Sequence, residues 1–207
     1  LEKAKRYNES INKAKDDSDY DMPEYDAKCE ALVPLFTHEL KAHIHAHRRD
    51  DIFTAIRIMK EFDIDYSLVH CTEGYLVADI LENERCEAIT GPIMTTRTKP
   101  ELRYASAENP AILDKNNVSV SISTDYPEIP INYLPLCAGI AVKNGLPHKK
   151  ALEAITITAA KHCGIDSFVG SSTRCKDADI VIFEEDPLTI SAKPSVVIIN
   201  GKIVHNV

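Results

Sequence analysis

The sequence has 207 residues, 44% hydrophobic and 27% charged, a globular composition with enough length to bury a core without disulfide or metal staples. Its 24 basic and 32 acidic residues leave a net charge of −8, which argues against a phosphate-tracking nucleic-acid surface and against docking on an anionic membrane. No apolar run is long enough for a membrane span or a signal-peptide core, and the six scattered cysteines lack C-x-x-C spacing, so they read as reduced thiols in a cytoplasmic compartment.

Residues 1–15 read as a charged helix, 16–26 as an acidic loop, and Ala27–Phe36 as a short helix. A run with alternating apolar positions, 41–46, is the first predicted strand. A helix follows from the acidic pair Asp50-Asp51, with Ile52, Ala55, Ile56, Met59 and Phe62 at helical spacing and carboxylates suited to its N-terminal dipole. Strand 66–70, a helix carrying Tyr75, Leu76, Ala78 and Leu81, strand 87–91, a long loop from Pro92 to Pro100, a helical stretch to Asn116 and strand 118–124 continue the alternation. Helices 131–144 and 148–163 come next, separated by Gly145-Leu146-Pro147. Strands separated by helical patterns mean repeated βα units and a parallel sheet. Beyond Gly164 the pattern changes to short β-branched strands at 178–183, 196–199 and 203–205, with Asn200-Gly201 marking a type I′ hairpin. A domain boundary is therefore expected near 164–168.

In parallel βα folds the chemistry gathers at the C-terminal ends of the strands. Three of the four predicted strands end in a potential metal ligand: His43-Ile44-His45-Ala46-His47, Val69-His70 and Ser123-Thr124-Asp125. Alternation puts His43, His45 and His47 on one face. Each residue alone also reads as structural, a hydrogen-bonded histidine or an aspartate capping the next helix. The same feature at three ends of one sheet points to a metal or catalytic cluster with an open position for water.

The stretches HIHAHRRDDI (43–52), VHCTEGYLVADIL (69–81), GPIMTTRTKPEL (91–102), STDYPEIPINYLPLCAGIAVKNGL (123–146) and KDADIVIFEEDPL (176–188) together resemble the amidohydrolase superfamily, specifically its imidazolonepropionase-related members. The resemblance covers roughly residues 27–207. It implies an α/β fold, a distorted TIM (β/α)8 barrel with a flanking β-sandwich, of which this chain carries the C-terminal half. Residues 1–165 are then about strands five to eight of the barrel, and 166–207 the last strands of the sandwich. It further implies one or two divalent metal ions, zinc foremost, with His45, His70 and Asp125 as ligands. The strand-one H-x-H of the family has no counterpart in the sequence. His43-Ile44-His45 could be mistaken for it, but His70 follows His45 by 25 positions and Asp125 follows His70 by 55, which fits strands five, six and eight. His43 is then expected to be a hydrogen-bonded interior residue.

The implied activity is metal-dependent hydrolysis of a cyclic or otherwise non-standard amide-type carbon–nitrogen bond in a small-molecule substrate. Asp125 would move the proton and His70 would stabilise charge on the carbonyl oxygen, with His47, Arg48 and Arg97 contacting substrate. Arg48 stands where imidazolonepropionases proper carry a glutamate, and a guanidinium suits a substrate carboxylate instead. Tyr126 replaces a histidine found in many relatives, and Cys71 and Cys175 stand where glycine is common. With the absent H-x-H, Tyr126 motivates the alternative of an inactive, amidohydrolase-like scaffold or binding protein. A dinucleotide-binding domain is set aside, because no G-x-G-x-x-G follows any strand. A complete barrel needs about 250 residues, and the sequence opens at Leu1 without an initiator methionine. A missing N-terminal half is therefore the expected partner, homo-oligomerisation is plausible, and the fragment alone is expected to be aggregation-prone and inactive.

Overall fold

The charged N-terminal segment forms helix α1 (Glu2–Asp16), which buries Ala4 and Ile11. In the computed structural model, which describes residues 1–206, the expected helix at 27–36 is two single turns, α2 (Ala27–Glu30) and α3 (Val33–Phe36). Asp26 caps the first, accepting the amides of Lys28 and Cys29. Pro34 sits in the first turn of the second, where its missing N–H costs nothing.

The βα alternation then runs β1 (Ala42–Ala46), α4 (Arg49–Phe62), β2 (Tyr66–His70), α5 (Ala78–Asn83), β3 (Glu87–Thr90), α6 (Asn109–Lys115) and β4 (Ser119–Ile122). The four strands form one parallel sheet in the order β1-β2-β3-β4. Register pairs Ala46 with His70, His70 with Thr90, and Thr90 with Ile122, so the C-terminal ends of all four strands stand in one row.

One face of the sheet packs on the helices. Ala46, Leu68, Ala88 and Val120 meet Ile52 and Ile56 of α4, Leu81 of α5 and Leu113 of α6 in a single buried cluster. Ile52, Leu68, Leu81 and Leu113 are fully buried, each worth roughly 1.5–3 kcal/mol relative to exposure. Alternation sends His43, His45, Ser67, Val69, Glu87, Ile89, Ser119 and Ser121 to the other face, which is largely polar. Lys41 pairs with Glu87, Ser67 donates to the same carboxylate at 2.7 Å, and Ser119 and Ser121 hydrogen-bond the two nitrogens of buried His162 at 2.8 and 2.9 Å. His43, expected to be interior, is exposed: it lies on the face away from the helix cluster, and among the described residues no strand flanks β1 on its outer side.

After β4 come α7 (Leu134–Lys143), α8 (His148–Ala154) and α9 (Ile157–His162). The expected helix 148–163 is thus broken at Ile155-Thr156. Thr156 leaves helical geometry (φ −131°, ψ −101°) while its hydroxyl bonds the Leu152 carbonyl at 2.6 Å. Ala138, Ala141, Ala151 and Leu188 close a second cluster around α7 and α8.

The tail forms β5 (Ile180–Phe183), β6 (Pro194–Ile199) and β7 (Lys202–Asn206), an antiparallel sheet in that order. Its hairpin is the expected one: Asn200 and Gly201 both have positive φ, 48° and 73°, as a type I′ turn requires. Ile180, Val181, Ile182, Ile203 and Val204 of this sheet are all exposed. All six cysteines are free, four of them buried. No helix among the described residues is long and apolar enough to cross a membrane.

Candidate active site

His45 is the penultimate residue of β1 and His70 the last of β2. Their register, with His45 opposite Val69, brings the imidazoles together above neighbouring strands. His45 Nδ1 stands 3.0 Å from His70 Nε2, and the rings meet edge-on. His47, just beyond the end of β1, lies on the His70 ring at 4.3 Å between centroids, nearly parallel to it. Its Nδ1 bonds the Thr72 hydroxyl at 2.8 Å. Burial, and then the neighbouring His70, pull the His47 pKa below the usual imidazole value.

His70 is buried and its tautomer follows from its contacts. Nδ1 lies 2.8 Å from the Gly91 carbonyl oxygen, which can only accept, so Nδ1 carries the proton. Neutral His70 therefore presents a lone pair on Nε2. The Gly91 carbonyl is held in place by a close crossing of strand ends. An added Cβ on Gly91 would lie 2.1 Å from the Ser123 carbonyl oxygen, and its φ is +135°, so only glycine fits.

The strand ends are sharp turns. His70, Cys71 and Asp125 have φ of 69°, 45° and 53°, left-handed values that non-glycine residues adopt at a cost of about 1–3 kcal/mol and that cluster at functional sites. Cys71 and Cys175 (φ 74°) stand where glycine is the easier residue. Burial pushes the Cys71 thiol up to about 12, which makes it inert near neutral pH. Buried Asn109 clamps this turn: its amide donates to the Cys71 carbonyl at 3.0 Å and its oxygen accepts the Tyr75 amide at 2.9 Å.

Asp125 follows β4 by three residues, its amide donating to Ser123 Oγ at 3.0 Å. The next side chain, Tyr126, is 71% exposed. Arg48 is exposed and already gives two hydrogen bonds to Asp50, at 2.9 and 2.8 Å. Arg97 donates to the Ala105 carbonyl at 2.9 Å and shares with His70, Thr72, Gly91 and Asn109 a cavity of about 240 Å3.

The two imidazoles have the right chemistry for a divalent ion. Nitrogens bonded at 2.0–2.1 Å to a tetrahedral zinc stand roughly 3.3 Å apart, close to the 3.0 Å separating His45 Nδ1 from His70 Nε2. Among the described residues, however, no three His, Cys, Asp or Glu side chains converge as a metal-binding set. Two nitrogen donors fit such an ion without completing its shell.

Of the sequence-derived candidates, the structure sets His45 and His47 each against His70, while Asp125 does not join them as a third ligand among the described residues. Arg97 shares the His70 cavity, and Arg48 turns to Asp50. Thr72, Gly91 and Asn109 were not anticipated. Gly91-Pro92 after an apolar strand signals a chain turn, but a role carried by a backbone carbonyl leaves no side-chain signature.

Parallel βα units whose strand ends bring imidazoles together define an α/β protein with a strand-end site. Residues 38–204 match the amidohydrolase family, and the chain belongs to that family. The amidohydrolase tasK of Hapsidospora irregularis is 26% identical over 186 residues, 87% of this chain and 19% of that protein. A crystal structure of an amidohydrolase from Thermotoga maritima matches with a TM-score of 0.92 and 32% identity, over 99% of this chain and 53% of that one. An adenosine deaminase structure from Xanthomonas campestris with bound zinc matches at 0.63 with 18% identity, over 86% of this chain and 48% of that one, a likeness of fold alone. The chain thus spans about half the length of these solved structures, and their folds fit a TIM-barrel-like architecture.

Proposed function

We propose that this chain is the C-terminal half of a metal-dependent hydrolase that cleaves an amide-type carbon–nitrogen bond, other than an ordinary peptide bond, in a small molecule. Residues 1–165 supply about the last four βα units of a barrel, and residues 166–207 supply the closing strands of a β-sandwich. The coverage of 53% of the Thermotoga structure supports the half-barrel reading. So do the open edge at β1 and the exposed apolar residues of the tail sheet, which call for a covering segment. The N-terminal half is the partner in question, and the intact protein is assigned to the cytoplasm.

The observation that carries the reading is the approach of His45 Nδ1 to His70 Nε2 at 3.0 Å. His45 and His70 are the residues that would hold the ion, with Asp125 completing the set from the end of β4. A divalent ion, zinc foremost, supplies a water nucleophilic near neutral pH. Gly91 fixes His70 through Nδ1, so that the Nε2 lone pair stays directed toward His45 and the ion site; where His70 is not a ligand, the same nitrogen, protonated, would instead donate to a developing oxyanion. Asp125 would take the proton from the attacking water and deliver it to the leaving nitrogen. The His47 ring backs the His70 ring, and Arg97 closes the same cavity. Arg48, paired with Asp50, would have to exchange that partner to reach a substrate carboxylate.

The second reading, an inactive amidohydrolase-like scaffold, is favoured by the lack of a three-ligand set among the described residues. One substitution separates the two. In the full-length protein, Asp125→Asn should lower kcat by about 10²–10⁴-fold, the range for loss of a general base, with circular dichroism and thermal unfolding unchanged. Turnover near that of the unmodified protein would refute the assignment.

A further inference from the structure

The histidines occupy only part of this end of the sheet. Beside them the start of α4 and the 97–104 segment enclose an open cleft of about 920 Å3. Five cations line it, Arg48, Arg49, Arg97, Lys99 and Arg103, against two carboxylates. In a chain of net charge −8 the cleft carries an excess of three positive charges, five less two, the reverse of the overall balance.

Both carboxylates are already engaged. Asp50 takes two parallel bonds from Arg48, and buried Glu73 accepts the Arg49 amide at 3.1 Å. Among the described residues the side chains of Arg49, Lys99 and Arg103 form no ion pair. Arg103 Cζ lies 5.3 Å from the centroid of the Tyr104 ring. Like charges around one concavity repel each other, and an anion between them relieves that repulsion while accepting charge-assisted hydrogen bonds. The cleft also communicates with the histidines: Arg97 lines both it and the cavity against His70, and Glu73 follows Thr72, the hydrogen-bond partner of His47.

We propose that the cleft binds an anionic oxygen group of the substrate, a carboxylate or a phosphate, through Arg49, Lys99 and Arg103, with Arg97 at the junction to the histidine cavity. The substrate class is then an acidic amide, its charged end in the cleft and its scissile bond at His70. This rests on the hydrolase reading of the histidines. It also moves anion recognition away from Arg48, whose guanidinium Asp50 already neutralises.

The test is calorimetric titration of the full-length protein with N-benzoylglycine, phenyl phosphate and the neutral N-benzoylglycinamide. At least one of the two anions should bind about tenfold more tightly than the neutral amide, the factor expected for one charged hydrogen-bonded group, and the stronger anion names the chemistry. In Arg49→Gln/Lys99→Gln/Arg103→Gln the preference should fall to about unity, and Arg49→Lys/Arg103→Lys should retain part of it. Equal binding of the neutral amide and both anions, or a preference that survives the glutamine variant with its fold intact by circular dichroism, overturns the proposal. Metal content and turnover are read separately. Anion preference without metal or turnover keeps the anion site and sinks the hydrolase reading; a metal-loaded, active protein without anion preference does the opposite.

Discussion

Gly91→Ala tests how the fold builds the site, because a single backbone position serves both. The new Cβ would stand 2.1 Å from the Ser123 carbonyl oxygen and 3.0 Å from the Ser123 carbonyl carbon. Both are backbone atoms, so no side-chain rotation relieves the clash. The strand ends must separate, which breaks the bond from the Ser123 amide to the Thr90 carbonyl at 2.8 Å, a loss of about 1 kcal/mol. Holding a non-glycine residue at φ +135° adds about 1–3 kcal/mol. The total is about 2–4 kcal/mol of destabilisation, read by urea unfolding of the full-length protein. The same displacement frees the Gly91 carbonyl from His70 Nδ1, and loss of a group that orients a ligand costs about 10–100-fold in metal affinity. A change in stability below about 0.5 kcal/mol, the scatter of neutral surface substitutions, with unaltered metal affinity, would refute the reasoning.

Two further predictions concern the supports of the site and of the sheet. Asn109→Leu strands the half-buried Tyr75 amide, while the Cys71 carbonyl keeps the Gly74 amide at 2.9 Å, and should cost about 1–3 kcal/mol, measured by chemical denaturation. Burial lowers the pKa of His162, with Glu87 acting the other way and Lys41 and His43 in the same sense. The unfolded chain therefore binds a proton in a pH range where the folded one does not, so stability should fall as pH drops below about 6.5. The slope for this one group is at most about 1.4 kcal/mol per pH unit, and His162→Gln should flatten it. A stability profile unchanged by that substitution between pH 7 and pH 5 would contradict the assignment.

The sheet was legible because its signals are local and repetitive. Strand 66–70 falls where alternation places it, and the tail hairpin follows from Asn200-Gly201. The misjudged boundaries have particular causes. Strand 118–124 stops at Ile122, because the chain must turn before Asp125 adopts a left-handed conformation. Helix 148–163 divides where the β-branched run Ile155-Thr156-Ile157-Thr158 lets a threonine hydroxyl compete for a carbonyl. At the site, His45 and His70 were readable from strand position. The stacking of His47 and the roles of Thr72, Gly91 and Asn109 arise from contacts 21 to 38 positions apart, which no local pattern encodes. Arg48 and Asp50 were visible two residues apart, yet only the fold shows them engaged with each other.

The central claim is that the paired imidazoles hold a divalent ion in the intact protein. Its most direct test is metal analysis by inductively coupled plasma mass spectrometry of the full-length protein, beside His45→Gln and His70→Gln, after expression with zinc, iron and manganese. The account predicts about one equivalent of metal or more in the unmodified protein and a loss of at least about tenfold in each variant. Less than about a tenth of an equivalent in the unmodified protein, or full occupancy that survives both substitutions, would contradict it.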